Sequence, residues 1–367
     1  MNKFYHVLRN ALLIASIWWV AMLLFGEYRV EKYGVKPMFP YYETLIEETN
    51  PAAAAWAHFD GAHYLHIAKL GYDGTGIQAF FPVYPFMIRG LHSLSGIPYI
   101  AAGKVISFLS LIGTLVCITY LFGARARLII AALLLFPTCF FLASMYTESL
   151  FLFEVLLFFV LLKRGNYLGA AAIAGLASGT RLVGVLLSLS LLVELYRRPL
   201  SIIHKSLLMI ISVSGFLAYA LYLGNRYGDP FIFLHVQSLF GAERSSGEIV
   251  WLPQVLVRYG LMIATVDSTT WLYQRVWLEL LTFLGAIWLW SKNLRYLPIT
   301  QSLFVAGAIL LPTLSGTLSS FPRYVLVLVP FLLPPRLAPR GFIPYLALSS
   351  LALAYLTAQY VSGLFVA

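Results

Sequence analysis

Apolar residues recur along this chain in runs of spanning length from Ala11 to the C-terminus, each closed by charges or by Pro and Gly. The runs lie near residues 8 to 25, 98 to 122, 128 to 143, 147 to 163, 167 to 180, 182 to 196, 203 to 225, 274 to 291, 297 to 314, 321 to 334 and 342 to 364. In hydrocarbon a lone span must satisfy its own backbone, so runs of this kind predict α-helices. We expect an all-α, polytopic membrane protein of about eleven transmembrane helices. The stretch 168 to 179 is rich in Gly, Ala and Ser, which lets helices approach closely. No fixed-period repeat is evident, so residues 1 to 367 are expected to form one transmembrane domain.

Composition agrees: 60% of the residues are hydrophobic and 11% charged, which excludes a soluble enzyme. The formal charge of +10 does not point to nucleic acid, because the bases sit as pairs between apolar runs and form no contiguous stripe. Cys117 and Cys139 fall inside apolar runs, where a thiol behaves as a small hydrophobe, so neither a disulfide nor a metal knuckle is expected. The first run follows Lys3 and Arg9 but has no small-x-small cleavage signal before Glu27, and it reads as a retained helix.

The bases also set sidedness. With a cytoplasmic N-terminus, Arg125, Arg127, Lys163, Arg164, Arg197, Arg198, Lys205, Lys292, Arg295, Arg336 and Arg340 all join Lys3 and Arg9 inside. Residues 26 to 97 then form a long first outer loop in which Glu27, Glu31, Glu43, Glu47, Glu48, Asp60 and Asp73 outnumber nearby bases. Within it, residues 79 to 95 are too short and too proline-broken to span, and are expected in the outer interface or re-entering from it. A second outer loop, 226 to 273, carries an amphipathic piece from Pro253 to Ile263 that is expected to lie on the membrane.

Four ionisable residues that interrupt apolar segments fall on this outer side: Asp60, Glu148, Arg181 and Arg323. Charges at the edge of a hydrocarbon slab are costly to keep, which makes them candidates for a working site. Each has a plainer reading. Asp60 could be solvated or cap a helix, Glu148 could favour a helix N-terminus, Arg181 could pair with Glu148, and Arg323 could snorkel to the interface. His63 and His66 stand one helical turn apart, as a metal pair would, but equally suit hydrogen bonding. Together, two carboxylates and two guanidiniums can take a proton from a hydroxyl and hold a phosphate, since Arg offers a fixed donor fork to anionic oxygens.

These residues lie in segments that resemble the PIG-V type mannosyltransferases, the GPI mannosyltransferase 2 family with its prokaryotic relatives, within the GT-C class of polyprenyl-phosphate-sugar-dependent glycosyltransferases. The matching pieces are Phe59, Asp60, His63 and Tyr64 with Gly71 and Tyr72; Phe80, Phe81 and Pro82 with Tyr84 and Pro85; Phe136 and Pro137; Tyr146, Thr147, Glu148 and Phe151; and Gly179, Thr180, Arg181 and Gly184. Weaker matches are Gly228, Asp229 and Pro230 with Gln237, and Phe321, Pro322, Arg323 and Tyr324. The family often has Trp where this chain has Phe59, and eukaryotic members carry a Ser-Asn pair where it has Leu182 and Val183.

The resemblance implies a GT-C fold with Asp60 as catalytic carboxylate; Glu148, Arg181 and Arg323 match recurring polar positions of the family, and with His63, Tyr64 and Tyr324 they are our candidate substrate-binding positions. It implies an inverting transfer of mannose from a polyprenyl-phosphate donor to a glycan or glycolipid hydroxyl, a β donor giving an α-mannoside. The chemistry of the residues agrees. A phosphate leaving group needs charge stabilisation more than protonation, so one carboxylate base suffices where a glycosidase uses two. There is no Asp-x-Asp pair or P-loop pattern for a nucleotide sugar, and neither a cofactor nor a divalent metal is expected. The expected partners are the lipid-linked donor, the acceptor and membrane lipids, with no nucleic acid.

Two other classes stay open: a transporter or flippase of a lipid-linked sugar, and a non-catalytic membrane subunit. A flippase would carry polar residues near mid-membrane or repeated halves, whereas these carboxylates cluster at one face. The large outer loops lack an Asn-x-Ser/Thr sequon, which favours a prokaryotic plasma (inner) membrane with the site facing outward.

Overall fold

A computed structural model describes residues 2–36, 49–242, 244–334 and 339–366. Glu43, Glu47, Glu48 and Arg336, counted above in setting sidedness, lie outside the described residues. Among the described residues every regular element is helical. The helices of six residues or more are α1 (Asn2–Tyr33), α2 (Asp60–Leu70), α3 (Val83–Ser95), α4 (Tyr99–Phe122), α5 (Ala126–Leu134), α6 (Glu148–Lys163), α7 (Tyr167–Thr180), α8 (Leu186–Tyr196), α9 (Ile202–Tyr227), α10 (Leu252–Thr265), α11 (Trp271–Asn293), α12 (Ile299–Leu310), α13 (Phe321–Leu326) and α14 (Pro339–Val361).

Each apolar run holds helix, but not always one helix. Four segments are long and apolar enough to cross a membrane: Phe4–Tyr33, Tyr99–Leu134, Ile202–Tyr227 and Phe342–Val361. Tyr167–Thr180, Leu182–Tyr196 and Ile299–Ser315 are apolar but shorter. The run 128 to 143 breaks after α5, close before Pro137, and resumes as a 3-10 turn over Cys139–Leu142. The run 321 to 334 breaks into α13 and a short helix Val329–Leu332, with Pro322 and Pro330 in their first turns. Proline removes a donor and crowds the preceding turn, so these runs bend where lone spans would be straight.

Helix α1 is built into the bundle. Its Trp18 Nε1 donates to the Leu134 carbonyl at 2.8 Å, and Trp19 meets Phe108 edge to face. Helices α7 and α9 touch backbone to backbone, as the small-residue stretch predicts. A Cβ on Gly215 would stand 2.2 Å from the Gly175 carbonyl oxygen, and one on Gly175 would stand 2.5 Å from that of Ile211. Only a hydrogen fits at such a crossing. Cys117 and Cys139 are both free and buried.

The stretch 49 to 97 folds over one end of this bundle. Its segment 79 to 95 becomes α3, whose Arg89 donates to the carbonyls of Ile67 and Ala68 and so satisfies the C-terminal end of α2. A separate core of Tyr64, Tyr72, Phe81, Tyr84, Tyr219 and Phe233 lies beneath it. Tyr219 and Tyr227 of α9 donate to the carbonyls of Gln78 and Tyr72, pinning the loop to that helix. The amphipathic piece expected at Pro253 to Ile263 is α10, with Val255 and Tyr259 buried.

Candidate active site

The four ionisable residues, far apart in sequence, form one connected chain of charge. Asp60 is the first residue of α2 and Glu148 the first of α6, so both carboxylates stand where helix N-termini favour negative charge. Arg323 joins them: its Nη1 donates to Asp60 Oδ2 at 2.5 Å and its Nε lies 3.2 Å from Glu148 Oε1. Arg181 closes the chain from the C-terminal end of α7, its Nη1 donating to Glu148 Oε1 at 2.8 Å. Glu148 is almost wholly enclosed, at 1% exposure, whereas the Asp60 side chain keeps 21%. A buried carboxylate between two guanidiniums holds the arrangement rigid, and Asp60, with Oδ1 free of protein hydrogen bonds among the described residues, faces outward from it.

Local backbone strain frames the Asp60–Arg323 pair. Phe59, just before Asp60, has φ 54°, and Ser320, which precedes α13, has φ 68°. Each conformation costs a side-chain-bearing residue about 1–3 kcal/mol, offset only by the contacts it makes possible. Three contacts hold the Phe59 side: Met145 N donates to the Trp56 carbonyl, Tyr146 Oη donates to that of His58, and Gly61 packs 3.2 Å, as a Cβ would measure it, from the Met145 carbonyl. On the Ser320 side, Tyr259 Oη accepts from Leu318 N at 3.1 Å and is itself bonded to buried Glu279.

The ionisation of Asp60 and His63 follows. Burial raises the Asp60 carboxyl, but the adjacent Arg323 guanidinium together with His63 and Arg244 outweighs burial and holds it below the usual carboxylate range. Burial likewise lowers His63, against the pull of Asp60, so its ring is neutral at pH 7.

His63 and Tyr64 sit on the same turn of α2 but do different things. His63 stacks on Phe80 with centroids 4.6 Å apart and meets Phe240 edge-on at 5.5 Å. Tyr64 packs against Phe80 and Tyr84, with Oη 3.5 Å from Thr147 Oγ1. His66 turns instead to Asp73, Nε2 to Oδ1 at 2.7 Å, so the two imidazoles share no ligand position. Among the described residues no three His, Cys, Asp or Glu side chains converge as a metal cluster. Tyr324 presents its ring to both guanidiniums, 5.1 Å from Arg181 and 5.5 Å from Arg323.

No family model, curated protein or solved structure matches this chain.

The site holds groups beyond those picked out in the sequence. Arg244, from the stretch between α9 and α10, reaches Ser320 Oγ at 3.4 Å and lies close enough to Asp60 to help lower its pKa. It meets no carboxylate at ion-pair distance among the described residues. With Asp60, Glu148, Arg181 and Arg323 cancelling, Arg244 gives the cluster a surplus positive charge. No motif flags it, since one Arg in a polar loop carries no signal. Glu154, 3% exposed, accepts from Thr180 Oγ1 at 3.0 Å, next to Arg181. Its place inside an apolar run was a usable signal.

A narrow crevice leads from the cluster. Arg181 and Tyr324 stand on its polar side, and Phe151, Val183, Phe304, Ala308, Val327 and Leu328 line the rest.

Proposed function

We propose that this chain is a GT-C type inverting glycosyltransferase, of the PIG-V mannosyltransferase kind, that moves mannose from a polyprenyl phosphate to an acceptor hydroxyl. In this reading all eleven apolar runs lie within the membrane, broken or not, and the Asp60 end of the bundle faces outward from a prokaryotic plasma membrane. One observation carries it: a part-exposed carboxylate joined to a cluster of three arginines, of which Arg181 lines an apolar crevice.

The acceptor oxygen attacks the anomeric carbon while the bond from that carbon to the phosphate oxygen breaks. Asp60 Oδ1 accepts the hydroxyl proton. With its pKa held low by Arg323 together with His63 and Arg244, Asp60 is ionised at neutral pH, and a base of this kind acts late, as the attacking oxygen becomes acidic. The departing phosphate needs positive charge rather than a proton. Arg244 supplies it without breaking an ion pair, and Arg181 contributes from the crevice. His63, neutral and stacked on Phe80, offers a flat wall for a sugar ring.

The test is turnover by the purified protein with radiolabelled polyprenyl-phosphate mannose and a panel of glycan and glycolipid acceptors. Transfer that falls about 10²–10⁴-fold in Asp60→Asn, with the protein still folded, supports the reading. Donor binding without turnover on any acceptor would reduce the protein to a non-catalytic subunit. Near-normal turnover by Asp60→Asn would remove Asp60 from the base role.

A further inference from the structure

A second cavity, of about 450 Å³, opens at the far end of α6 from Glu148, one helix length of about 24 Å away. That volume falls in the range of small-ligand sites, about 300–1,000 Å³. It is assembled from five segments that the sequence keeps apart: the turns after α4, α6, α8 and α11, and the short helix Val329–Leu332 with Leu333. Its walls divide by chemistry. Phe122, Phe159, Leu162 and Phe331 supply apolar surface, and Arg125, Lys163 and Arg198 supply charge.

The three bases are not equivalent. Arg198 is neutralised by Glu194 one turn before it, through both Nε and Nη2. Arg125 gives Nη2 to the Leu333 carbonyl at 2.5 Å, and its Nε, shut from solvent, has no hydrogen-bond partner. Lys163 is exposed. Neither Arg125 nor Lys163 meets a carboxylate among the described residues, so the cavity keeps two uncompensated positive charges beside aromatic and aliphatic walls.

We propose that this cavity binds the phosphate headgroup of an anionic phospholipid, with Arg125 and Lys163 on the phosphate oxygens and the first acyl carbons against Phe122 and Phe331. Charge alone would suit any phosphate. The apolar half of the wall is what selects a lipid over a free anion, since inorganic phosphate would leave it wetted. The bases on neighbouring turns, Arg164, Arg197, Lys292 and Arg295, are exposed and set a positive field around the mouth. The inference is independent of the chemistry at Asp60.

The experiment is lipid binding by the full-length protein in neutral detergent, followed by native mass spectrometry across a titration of phosphatidylglycerol. Parallel titrations use phosphatidylcholine and inorganic phosphate as competitor. Saturable phosphatidylglycerol binding is expected, weakened about five-fold in Lys163→Gln and about five-fold again in Lys163→Gln/Arg125→Gln, with Arg127→Gln unchanged. Lys163 ties no backbone, so Lys163→Gln remains decisive if loss of the Arg125–Leu333 bond unfolds the double variant. Equal binding of phosphatidylcholine, unchanged affinity in Lys163→Gln, or full displacement by inorganic phosphate would each overturn the proposal.

Discussion

Replacing Glu148 by Gln removes the one carboxylate that two arginines share. Its Oε1 accepts from Arg181 at 2.8 Å and lies 3.2 Å from Arg323 Nε, at 1% exposure. Without that charge, two guanidiniums and nearby Arg244 face each other with only Asp60 left to balance them. Breaking a buried pair from one side typically costs about 3–5 kcal/mol, and we expect this loss. Arg181→Gln should cost less, about 1.5–3 kcal/mol, because Glu148 keeps Arg323 and Arg181 is the more exposed partner at 14%. The double variant loses one charge of each sign, so a coupling of about 1–3 kcal/mol should make its loss smaller than the sum of the two single losses. Transfer should not return with stability, because Arg181 is also the cation of the apolar crevice. Unfolding free energies from denaturing-detergent titration in mixed micelles, read by the chain's 8 Trp residues, measure all three variants. Strict additivity of the two single losses, or a Glu148→Gln protein as stable as wild type, would refute the shared-carboxylate reasoning.

Three further outcomes follow from the same geometry. Gly215→Ala should destabilise by about 1–3 kcal/mol, because its Cβ would meet the Gly175 carbonyl, and Gly260→Ala, where nothing lies nearby, should not; the same titration reads both. His63 titrates lower folded than unfolded, so its stabilising contribution is complete above the ordinary value of 6.5 and is lost as pH falls from there toward the folded value. His63→Phe, which keeps the stack on Phe80, should therefore flatten the acid side of the thermal-stability profile below pH 6.5; an unchanged profile would put the acid loss elsewhere. Finally, a cysteine at Ser246 should react with an impermeant reagent added outside intact cells while one at Arg125 should not; the reverse pattern would turn the protein over in the membrane.

The sequence by itself determined that this is a helical membrane protein, because run length and backbone satisfaction in lipid leave no other option for chains of such composition. It also determined Asp60, Glu148, Arg181 and Arg323 as the residues to examine, because an ionisable group in an apolar segment is costly wherever the chain folds. Partnership was the part it left open. Arg181 pairing with Glu148 stood as one alternative among several until α6 and α7 were placed side by side, and only then did Arg323 prove to bridge Glu148 and Asp60. Arg244 carried no local signal, since its role depends on Ser320, 76 residues away, being held at positive φ. The breaks at Pro137, Pro322 and Pro330 belong to the same class: hydrophobicity sums over a window, whereas a missing backbone donor acts at one residue and needs neighbours to absorb it. The cavity between Arg125 and Lys163 is tertiary throughout, because it exists only where five separate segments meet and no single run of sequence contains it.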